Sequence, residues 1–129
     1  MDTNIKSFTI IVNEASIRNN HLKNGDFQFA PDIKKHIRKR EEENSYEIEI
    51  KVEIHDSENN PFPFNLAANI SGLFEIEGED NKEINNFLQT QGVQMVYPHL
   101  RSLVANLTTA AMMPPLLLPI IYVNEFDEN

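Results

Sequence analysis

The sequence predicts an α+β fold in which the strands come first and the helices follow. Residues up to about 77 alternate apolar with polar side chains, the period of a β-strand, whereas residues from about 80 to 109 repeat apolar side chains every three or four positions, the period of an α-helix. Strands followed by helices, rather than alternating with them, indicate the α+β class. The 129 residues contain no internal repeat, so a single domain over residues 1–129 is expected.

The first predicted strand covers residues 5–17 and carries an apolar face on alternate positions. That face comprises Phe8, Ile10 and Val12. Residues 19–26 are rich in Asn, which predicts a loop. Phe27, Phe29 and Pro31 then form a crossover to the next strand, because the residue before a proline favours extended geometry.

A charged hairpin follows, with its turn at residues 41–45. Residues 46–54 alternate strictly between apolar and polar side chains, which predicts a strand with one buried and one solvated face. Its partner strand contains the basic run 34–40. Residues 33–55 hold six basic and six acidic side chains, so the hairpin sets basic residues opposite glutamates, each pair contributing about 0.2–1 kcal/mol. The basic run is therefore interpreted as a set of cross-strand partners rather than as a phosphate or membrane patch.

A third alternating segment, residues 64–76, predicts the last strand of the sheet. Gly72 lies in its middle, which predicts a bulge or a close approach by other atoms. The face opposite its apolar residues carries few charges for a solvated surface. This composition favours contact with another subunit.

Two helices are expected after the sheet. The first covers about residues 81–91 and ends at Gly92, since glycine commonly terminates helices. The second covers about residues 93–109, with a kink or a helix start at Pro98. Arg101 is the only charged side chain on this second helix, which is typical of a helix packed on both sides.

The segment 110–129 is predicted to be an extended tail rich in Pro and Leu. Residues 110–122 contain three prolines, which oppose helix formation, and no charged side chain. The run is too short for a bilayer, which takes about 20 apolar residues, so no stable membrane insertion is expected. The run should instead be covered by protein.

Composition limits the classes of function. The 20 acidic and 11 basic side chains give a net charge of −9, which disfavours nucleic-acid binding. The absence of cysteine and of a secretory signal favours the cytoplasm. No GxxxxGK[ST] loop is present to hold nucleotide phosphates, so neither ATP use nor a cofactor is expected.

An enzyme or a metal site would need convergent polar side chains. The candidates are His36, His55, His99, Glu75 and Glu77. A metal site needs further ligands in an enclosed pocket, whereas histidines and carboxylates among charges are usually solvated. We therefore expect no metal and no catalytic residues.

Three segments, in this order, resemble the signatures of one known family. They are Ser71-Gly-Leu-Phe-Glu-Ile-Glu-Gly78, Val96-Tyr-Pro-His-Leu-Arg101 and Pro114-Pro-Leu-Leu-Leu-Pro119. Their order and the helix between them resemble SecB, the bacterial protein-export chaperone, and the similarity spans about Phe8 to Phe126. The resemblance implies a four-stranded antiparallel sheet with helices packed on one face, assembled as a dimer of dimers, a homotetramer.

The resemblance also implies two sets of site residues. In that family, grooves formed by the crossover, the sheet edge and the segment after the long helix hold unfolded polypeptide. The groove set here is Phe27, Phe29, Phe74, Met112, Met113, Leu116, Leu117, Leu118, Ile120 and Tyr122. The long helices pack at the subunit interface, and that set here is Tyr97, Leu100, Leu103, Val104 and Leu107. Prolines would keep the tail extended as a wall, while its methionines and leucines supply adaptable contacts.

The implied function is that of an ATP-independent holdase for unfolded polypeptides, among them precursors for export. The chain stops soon after the proline-leucine segment, so a short member whose C-terminal lid helix is shortened or missing is expected. Members that dock on the translocase motor SecA use an acidic sheet surface. Glu14 matches one of its acids, whereas two others fall at Arg18 and Ala67, which leaves SecA open as a partner.

Two alternatives remain open at the level of the sequence. A branch that resembles SecB serves as a dedicated chaperone of the antitoxin in a toxin-antitoxin pair, and a short, divergent member fits that branch as well. The second alternative is a carrier of a small apolar ligand in a closed cavity. The residues that would line that cavity are Phe29, Phe64, Phe74 and Tyr122.

Overall fold

The structure is a computed structural model that describes residues 4–22, 25, 27–78, 82–120 and 127–128. Its strands are β1 (Ile5–Asn19), β2 (Asp32–Lys39), β3 (Ser45–Ile54), β4 (Phe64–Ile76) and β5 (Asp127–Glu128). Its helices are α1 (Lys82–Phe87) and α2 (Val93–Ala110), which are joined by a π-helical turn over Leu88–Gly92. No helix in this described part of the chain is long and apolar enough to cross a membrane.

Four strands form an antiparallel sheet in the order β1-β4-β3-β2, which confirms the sheet that the resemblance implied. β5 adds two residues in parallel beside β2, with Asp127 opposite Lys34. β1 and β2 follow each other in sequence but lie on opposite sides of the four-stranded sheet. The chain therefore crosses the sheet between them.

The core lies between the sheet and the helices. β3 alternates between half-buried and buried side chains along its whole length, as its sequence pattern predicts. Ile48, Ile50 and Val52 are fully buried there. Burying such a side chain contributes about 1.5–3 kcal/mol before the cost of ordering it. β4 sends a second buried row toward the same helices.

β1 is longer and less regular than its sequence predicts. It extends to Asn19, and its register with β4 shifts between Val12 and Glu14. Val12 is exposed although it belongs to the predicted apolar face. We attribute this to the position of β1 outside β4, where the helical layer covers it only in part. The shift also brings Asn13 to the polar face of the sheet, away from the helices.

The helical part is one continuous segment, whereas two helices separated at Gly92 were expected. Gly92 has helical dihedral angles, φ −60° and ψ −45°, so it does not end a helix. Its small size serves packing instead, because a Cβ there would lie 2.7 Å from Cδ1 of Ile48 on β3. Pro98 lies inside α2, and the helix continues through it despite the missing backbone donor.

The tail begins with a reversal of the chain at the end of α2. Met112 adopts a positive φ of 63°, and the N–H of Met113 donates to the carbonyl of Thr108 at 3.0 Å. Residues 114–120 have neither helical nor strand geometry. They run back alongside α2, as the contacts described next establish.

Candidate functional site

The tail is held against α2 by three polar side chains of that helix. The backbone N–H of Leu116 donates to Oγ1 of Thr108 at 2.9 Å. Nε of Arg101 donates to the carbonyl of Leu118 at 2.9 Å, and the hydroxyl of Tyr97 donates to the carbonyl of Pro119 at 2.7 Å. As the tail advances, its partners move back toward the start of α2. The tail is therefore antiparallel to the helix.

The tail has an inner and an outer face. Leu118 is 1% exposed and belongs to the core, and Met113 and Leu116 are half-buried against it. On the outer face, Met112 is 92% exposed, Leu117 70% and Ile120 78%. The prolines prevent helix formation here, so the chain stays stretched and presents apolar side chains on both faces.

A groove opens where the tail passes the end of β1 and the start of β4. Its volume is about 450 Å³, and it is open to solvent. The residues that line it are Asn19, Leu22, Pro63, Phe64, Met113, Pro114, Pro115 and Leu116. Apart from Asn19, every one of these side chains is apolar. We call this feature the tail groove.

A row of aromatic rings continues the tail groove toward the crossover. The ring of Phe64, which lines the groove, lies 5.0 Å from the ring of Phe62. Phe62 in turn lies 6.2 Å from Phe27 and 6.2 Å from Phe29, measured between ring centroids. Such contacts bury apolar area in a defined geometry. Phe29 is 37% exposed, so the far end of this aromatic row remains accessible.

Polar side chains fix the turn that carries Phe62. Oδ1 of Asp56 accepts from the N–H of Phe62 at 2.9 Å, and Nδ2 of Asn20 donates to the carbonyl of Phe62 at 3.2 Å. The N–H of Asn20 also donates to the carbonyl of Pro63 at 2.9 Å. These bonds tie the loop after β1 to the turn before β4, so the aromatic row is built on anchored backbone.

Not every predicted groove residue lies at this surface. Phe74 is 2% exposed and packs between Phe8, at 4.8 Å, and Phe87, at 6.1 Å, near the other end of β4. It is a core residue, and the prediction that it lines the groove is wrong. The prediction that Leu118 lines the groove is also wrong, because its side chain is buried in the core. Tyr122 lies outside the described residues.

The phenylalanines predicted to line a closed cavity for a small apolar ligand do not come together. Phe64 stands at the start of β4 and Phe74 near its end. Ten residues of strand separate them by roughly 33 Å, so they do not line one cavity. The space beside Phe64 is the open tail groove.

Several residues predicted to lie at the subunit interface are instead buried within their own subunit. Leu100 and Val104 are fully buried against the sheet of their own subunit, and Tyr97 is buried under the tail. A side chain already packed in its own core cannot serve a partner. Leu103 and Leu107 are half-buried against the same core. The exposed side of α2 carries Gln94, Pro98, His99, Ser102, Asn106 and Thr109.

Several residues of the groove were missed by reasoning from sequence. Among them are Leu22 and Pro63 in the groove itself, and Phe62 in the aromatic row beside it, all in the loop after β1 and the turn before β4. Their role depends on the tertiary contact between loop and turn, which no periodicity reports. The two phenylalanines that flank Pro63 could have indicated an apolar surface at this turn, since the start of a strand alone does not require two aromatic rings.

The polar face of the sheet carries a network that spans all four antiparallel strands. Arg38 on β2 bonds both Glu47 at 2.9 Å and Glu49 at 2.8 Å on β3. Further bonds to β4 and β1 are Ser71 to Glu47, Asn69 to Glu49, Asn13 to Asn69 and Asn13 to Ser71. The cross-strand interpretation of the basic run is thus confirmed for Arg38. It is wrong for Lys34, which faces Lys51 across the hairpin.

The network shifts the ionisation of its glutamates. Burial alone would raise the pKa of Glu47, but the hydrogen bonds from Ser71 and Arg38 outweigh burial and lower that pKa below its ordinary value. For Glu49, the bonds from Asn69 and Arg38 outweigh burial in the same way and lower its pKa. Both carboxylates are therefore held ionised as structural partners of Arg38.

The candidate metal ligands and the candidate SecA contact, Glu14, remain to be placed in the structure. Among the described residues, no group of three or more His, Asp or Glu side chains is placed to hold a metal ion. His55 lies 3.3 Å from Glu53, the contact of an exposed pair. Glu14 is exposed within β1 opposite Asn69 on β4, and its predicted contact with SecA stays a prediction.

Together these features define a small α+β protein in which one antiparallel sheet, covered on one face by helix, presents an open apolar groove beside a proline-stiffened tail. Residues 7–127 match the family of the preprotein translocase subunit SecB. The chain belongs to the SecB family, which confirms the resemblance found in its sequence.

Individual relatives agree with this family. The chain is 32% identical over 98 residues to the protein-export protein SecB of Ruegeria pomeroyi, which covers 71% of the chain and 58% of the relative. It is 29% identical over 92 residues to the protein-export protein SecB of Dinoroseobacter shibae, covering 67% and 54%. The matches thus span little more than half the length of these relatives.

A solved structure shares the fold. It is a SecB-like chaperone of Mycobacterium tuberculosis in complex with a ChAD peptide from the HigA1 antitoxin. The TM-score is 0.72 at 17% sequence identity, and the match covers 92% of this chain and 90% of the other. At this identity the likeness concerns the fold.

Proposed function

We propose that this chain is an ATP-independent holdase of the cytoplasm, without enzymatic activity, that binds extended apolar segments of non-native polypeptides. The tail groove and the aromatic row that continues it carry the proposal, because they offer an open apolar surface with an accessible end at Phe29. Membership of the SecB family supports it. The export of preproteins, as the names of the curated relatives suggest, is a natural use of such binding.

The energetics suit reversible capture. One apolar side chain of a client contributes about 1.5–3 kcal/mol when buried, before ordering costs are subtracted. A single groove is therefore weak, and useful affinity requires several grooves on one assembly. A protein that binds only the unfolded state of a client delays folding by mass action, and this requires no nucleotide.

The test is a refolding assay without ATP. An unrelated, slow-folding protein is diluted from denaturant into stoichiometric amounts of this chain, and recovery of its activity is followed in time. We expect clear retardation. The double variant Leu22→Ser, Phe29→Ser should lose most of it, because both side chains are partly exposed at the groove and the row, and neither belongs to the buried core.

A matched control separates the groove from general stickiness. Ile11 is 42% exposed, comparable to Leu22 at 39%, but lies on the polar face of the sheet opposite Ser71. Ile11→Ser should retard refolding as well as the unaltered chain does. Equal loss in both variants would argue against the groove, and no retardation by the unaltered chain would reject the holdase function.

A second candidate is a chaperone dedicated to one antitoxin. The solved structure with a bound ChAD peptide favours it, since the likeness extends over nearly the whole of both chains. The two candidates differ in breadth of recognition. A dedicated chaperone should bind one antitoxin segment about a hundredfold more tightly than unrelated unstructured peptides, a difference of about 2.7 kcal/mol. Comparable affinities for all peptides would exclude the dedicated chaperone and support the general holdase.

For the assembly we propose a homotetramer, a dimer of dimers, as in the family. The support here is the exposed side of α2, which is free of charged side chains apart from the titratable His99. This side, rather than the buried Leu100 and Val104, is the surface that a partner would meet. Docking on SecA through Glu14 is compatible with the exposure of that side chain on β1.

A further inference from the structure

The only charged side chain of α2 points at the tail. Arg101 is half-buried, and its Nε donates to the carbonyl of Leu118 at 2.9 Å. One turn earlier, the hydroxyl of Tyr97 donates to the carbonyl of Pro119 at 2.7 Å. Residues four apart lie on one side of a helix. Two successive carbonyls of the tail are thus held from one side of α2. Both donors belong to the segment Val96–Arg101 and both acceptors to the segment Pro114–Pro119, two of the three segments that resemble the family.

The tail has little else to hold its backbone. Proline has no N–H, so Pro114, Pro115 and Pro119 cannot donate. Within the described residues, segment 114–120 takes part in just one further hydrogen bond, from the N–H of Leu116 to Thr108. None of the strands that the structure describes pairs with this segment. The orientation of the tail about its own axis therefore depends on these three side chains and on apolar packing.

That orientation decides which side chains face outward. Leu118 is buried while its neighbour Leu117 is 70% exposed. A rotation of the stretched chain would exchange the two, since adjacent side chains of an extended chain point in opposite directions. The same rotation would move Leu116, which lines the tail groove. Fixing the carbonyls of Leu118 and Pro119 thus fixes the wall of the groove.

We infer that Tyr97 and Arg101 are positioning residues of the polypeptide-binding groove, which set its wall by holding the carbonyls of Pro119 and Leu118 without touching the client. This inference rests on the proposed holdase function. It gives Tyr97 a role within one subunit in place of the predicted role at the interface. It also explains why an arginine stands on a helix without other charged residues.

The test combines Tyr97→Phe with Arg101→Met in the full chain. Both changes keep the apolar body of the side chain and remove the donor. We expect hydrogen exchange at the amide of Leu116, whose N–H donates to Thr108, to rise about tenfold or more, while that of β3 is unchanged. The affinity for a fluorescein-labelled, leucine-rich, unstructured peptide should fall about tenfold, the size expected for two lost hydrogen bonds that preorganise a site.

Two further variants separate positioning from charge and from general damage. Arg101→Lys keeps the positive charge but puts a methylene where Nε stands, so it should weaken peptide binding about as much as Arg101→Met. Thr90→Ala is the matched control, because the hydroxyl of Thr90 donates to the carbonyl of Asn86 within its own helical segment, away from the tail. It should leave both measurements unchanged.

The outcomes are distinct. Faster exchange in the tail with unchanged peptide affinity would overturn the inference, since the wall would then be irrelevant to binding. Unchanged exchange in the tail would overturn it as well, and so would full rescue by Arg101→Lys. The holdase function would survive each of these results, because the unaltered chain would still bind. Absence of peptide binding by the unaltered chain would instead remove the proposed function itself.

Discussion

Gly72 on β4 lies directly beneath Val96 on α2. A Cβ added to Gly72 would lie closer to Cγ2 of Val96 than real Cβ atoms approach another atom, and it would stand 3.2 Å from Cε1 of Phe8 on the neighbouring strand. The glycine is therefore the point at which the long helix comes down onto the sheet, and it sets the spacing between the two layers.

We expect Gly72→Ala to destabilise the fold by about 1–3 kcal/mol, the usual cost of adding a methyl group to a filled core. Val96→Ala in the same chain should restore part of the loss, because it removes the atom that clashes. Urea unfolding of the two single variants and the double variant measures this coupling. Additive losses would mean that the helix simply shifts away from the sheet.

The sheet was largely readable from the sequence, because its signals are local. Strict alternation in β3 reports which side chains are buried there, and Gly72 marks the close approach between layers. Gly92 shows where local reasoning failed. The same residue type that ends many helices here stays helical to let Ile48 approach, and only the tertiary packing distinguishes the two uses.

The candidate site was only partly readable. The tail was recognisable because prolines restrict the backbone whatever surrounds them. Which of its leucines face outward was not, since Leu118 is buried and its carbonyl is held by Arg101, which lies 17 residues earlier in the chain. The prediction that Leu100 and Val104 face a partner was wrong for a related reason, since both are buried in the core of their own subunit. Apolar periodicity marks the side of a helix that is buried, and it does not say whether the cover is the chain's own sheet or a partner.

Stability should fall at acid pH through Glu47 and Glu49. Both have a pKa below the ordinary value of 4.5 in the folded chain. The folded state thus binds protons less readily than the unfolded state, so their stabilisation is present above pH 4.5 and is lost as the pH falls through the lower folded values. Each partly exposed carboxylate is worth only about 0.2–1 kcal/mol.

The corresponding experiment is urea unfolding over a pH series. Replacing both carboxylates, Glu47→Gln with Glu49→Gln, should lower the free energy of unfolding at neutral pH and flatten its decline on acidification. Glu58→Gln changes an exposed loop carboxylate and serves as the control. If the free energy of unfolding falls as steeply with acidification in the double variant as in the unaltered chain, the pH dependence belongs to other groups.

The exposed side of α2 should respond to charge if it joins subunits. In a two-fold interface the same residue occurs on both partners, so Ser102→Glu would place like charges close together. We expect this change to convert the proposed tetramer into dimers in native mass spectrometry. Asn59→Glu, in an exposed turn away from α2, should keep the tetramer. A tetramer that survives Ser102→Glu would place the contact elsewhere, and a monomeric unaltered chain would end the dimer-of-dimers proposal.

Thr108 should matter more than its neighbour Thr109, although both hydroxyls bond to the carbonyl of Ala105. Only Thr108 is fully buried, and only its Oγ1 also accepts from the N–H of Leu116. Thr108→Val keeps the shape but leaves that N–H without an acceptor, which costs about 1–3 kcal/mol when the group stays buried. Thr109→Val should stay within about 0.5 kcal/mol, as for an ordinary surface substitution. Equal effects of the two changes in urea unfolding would show that the tail exchanges its bond to α2 for water at little cost.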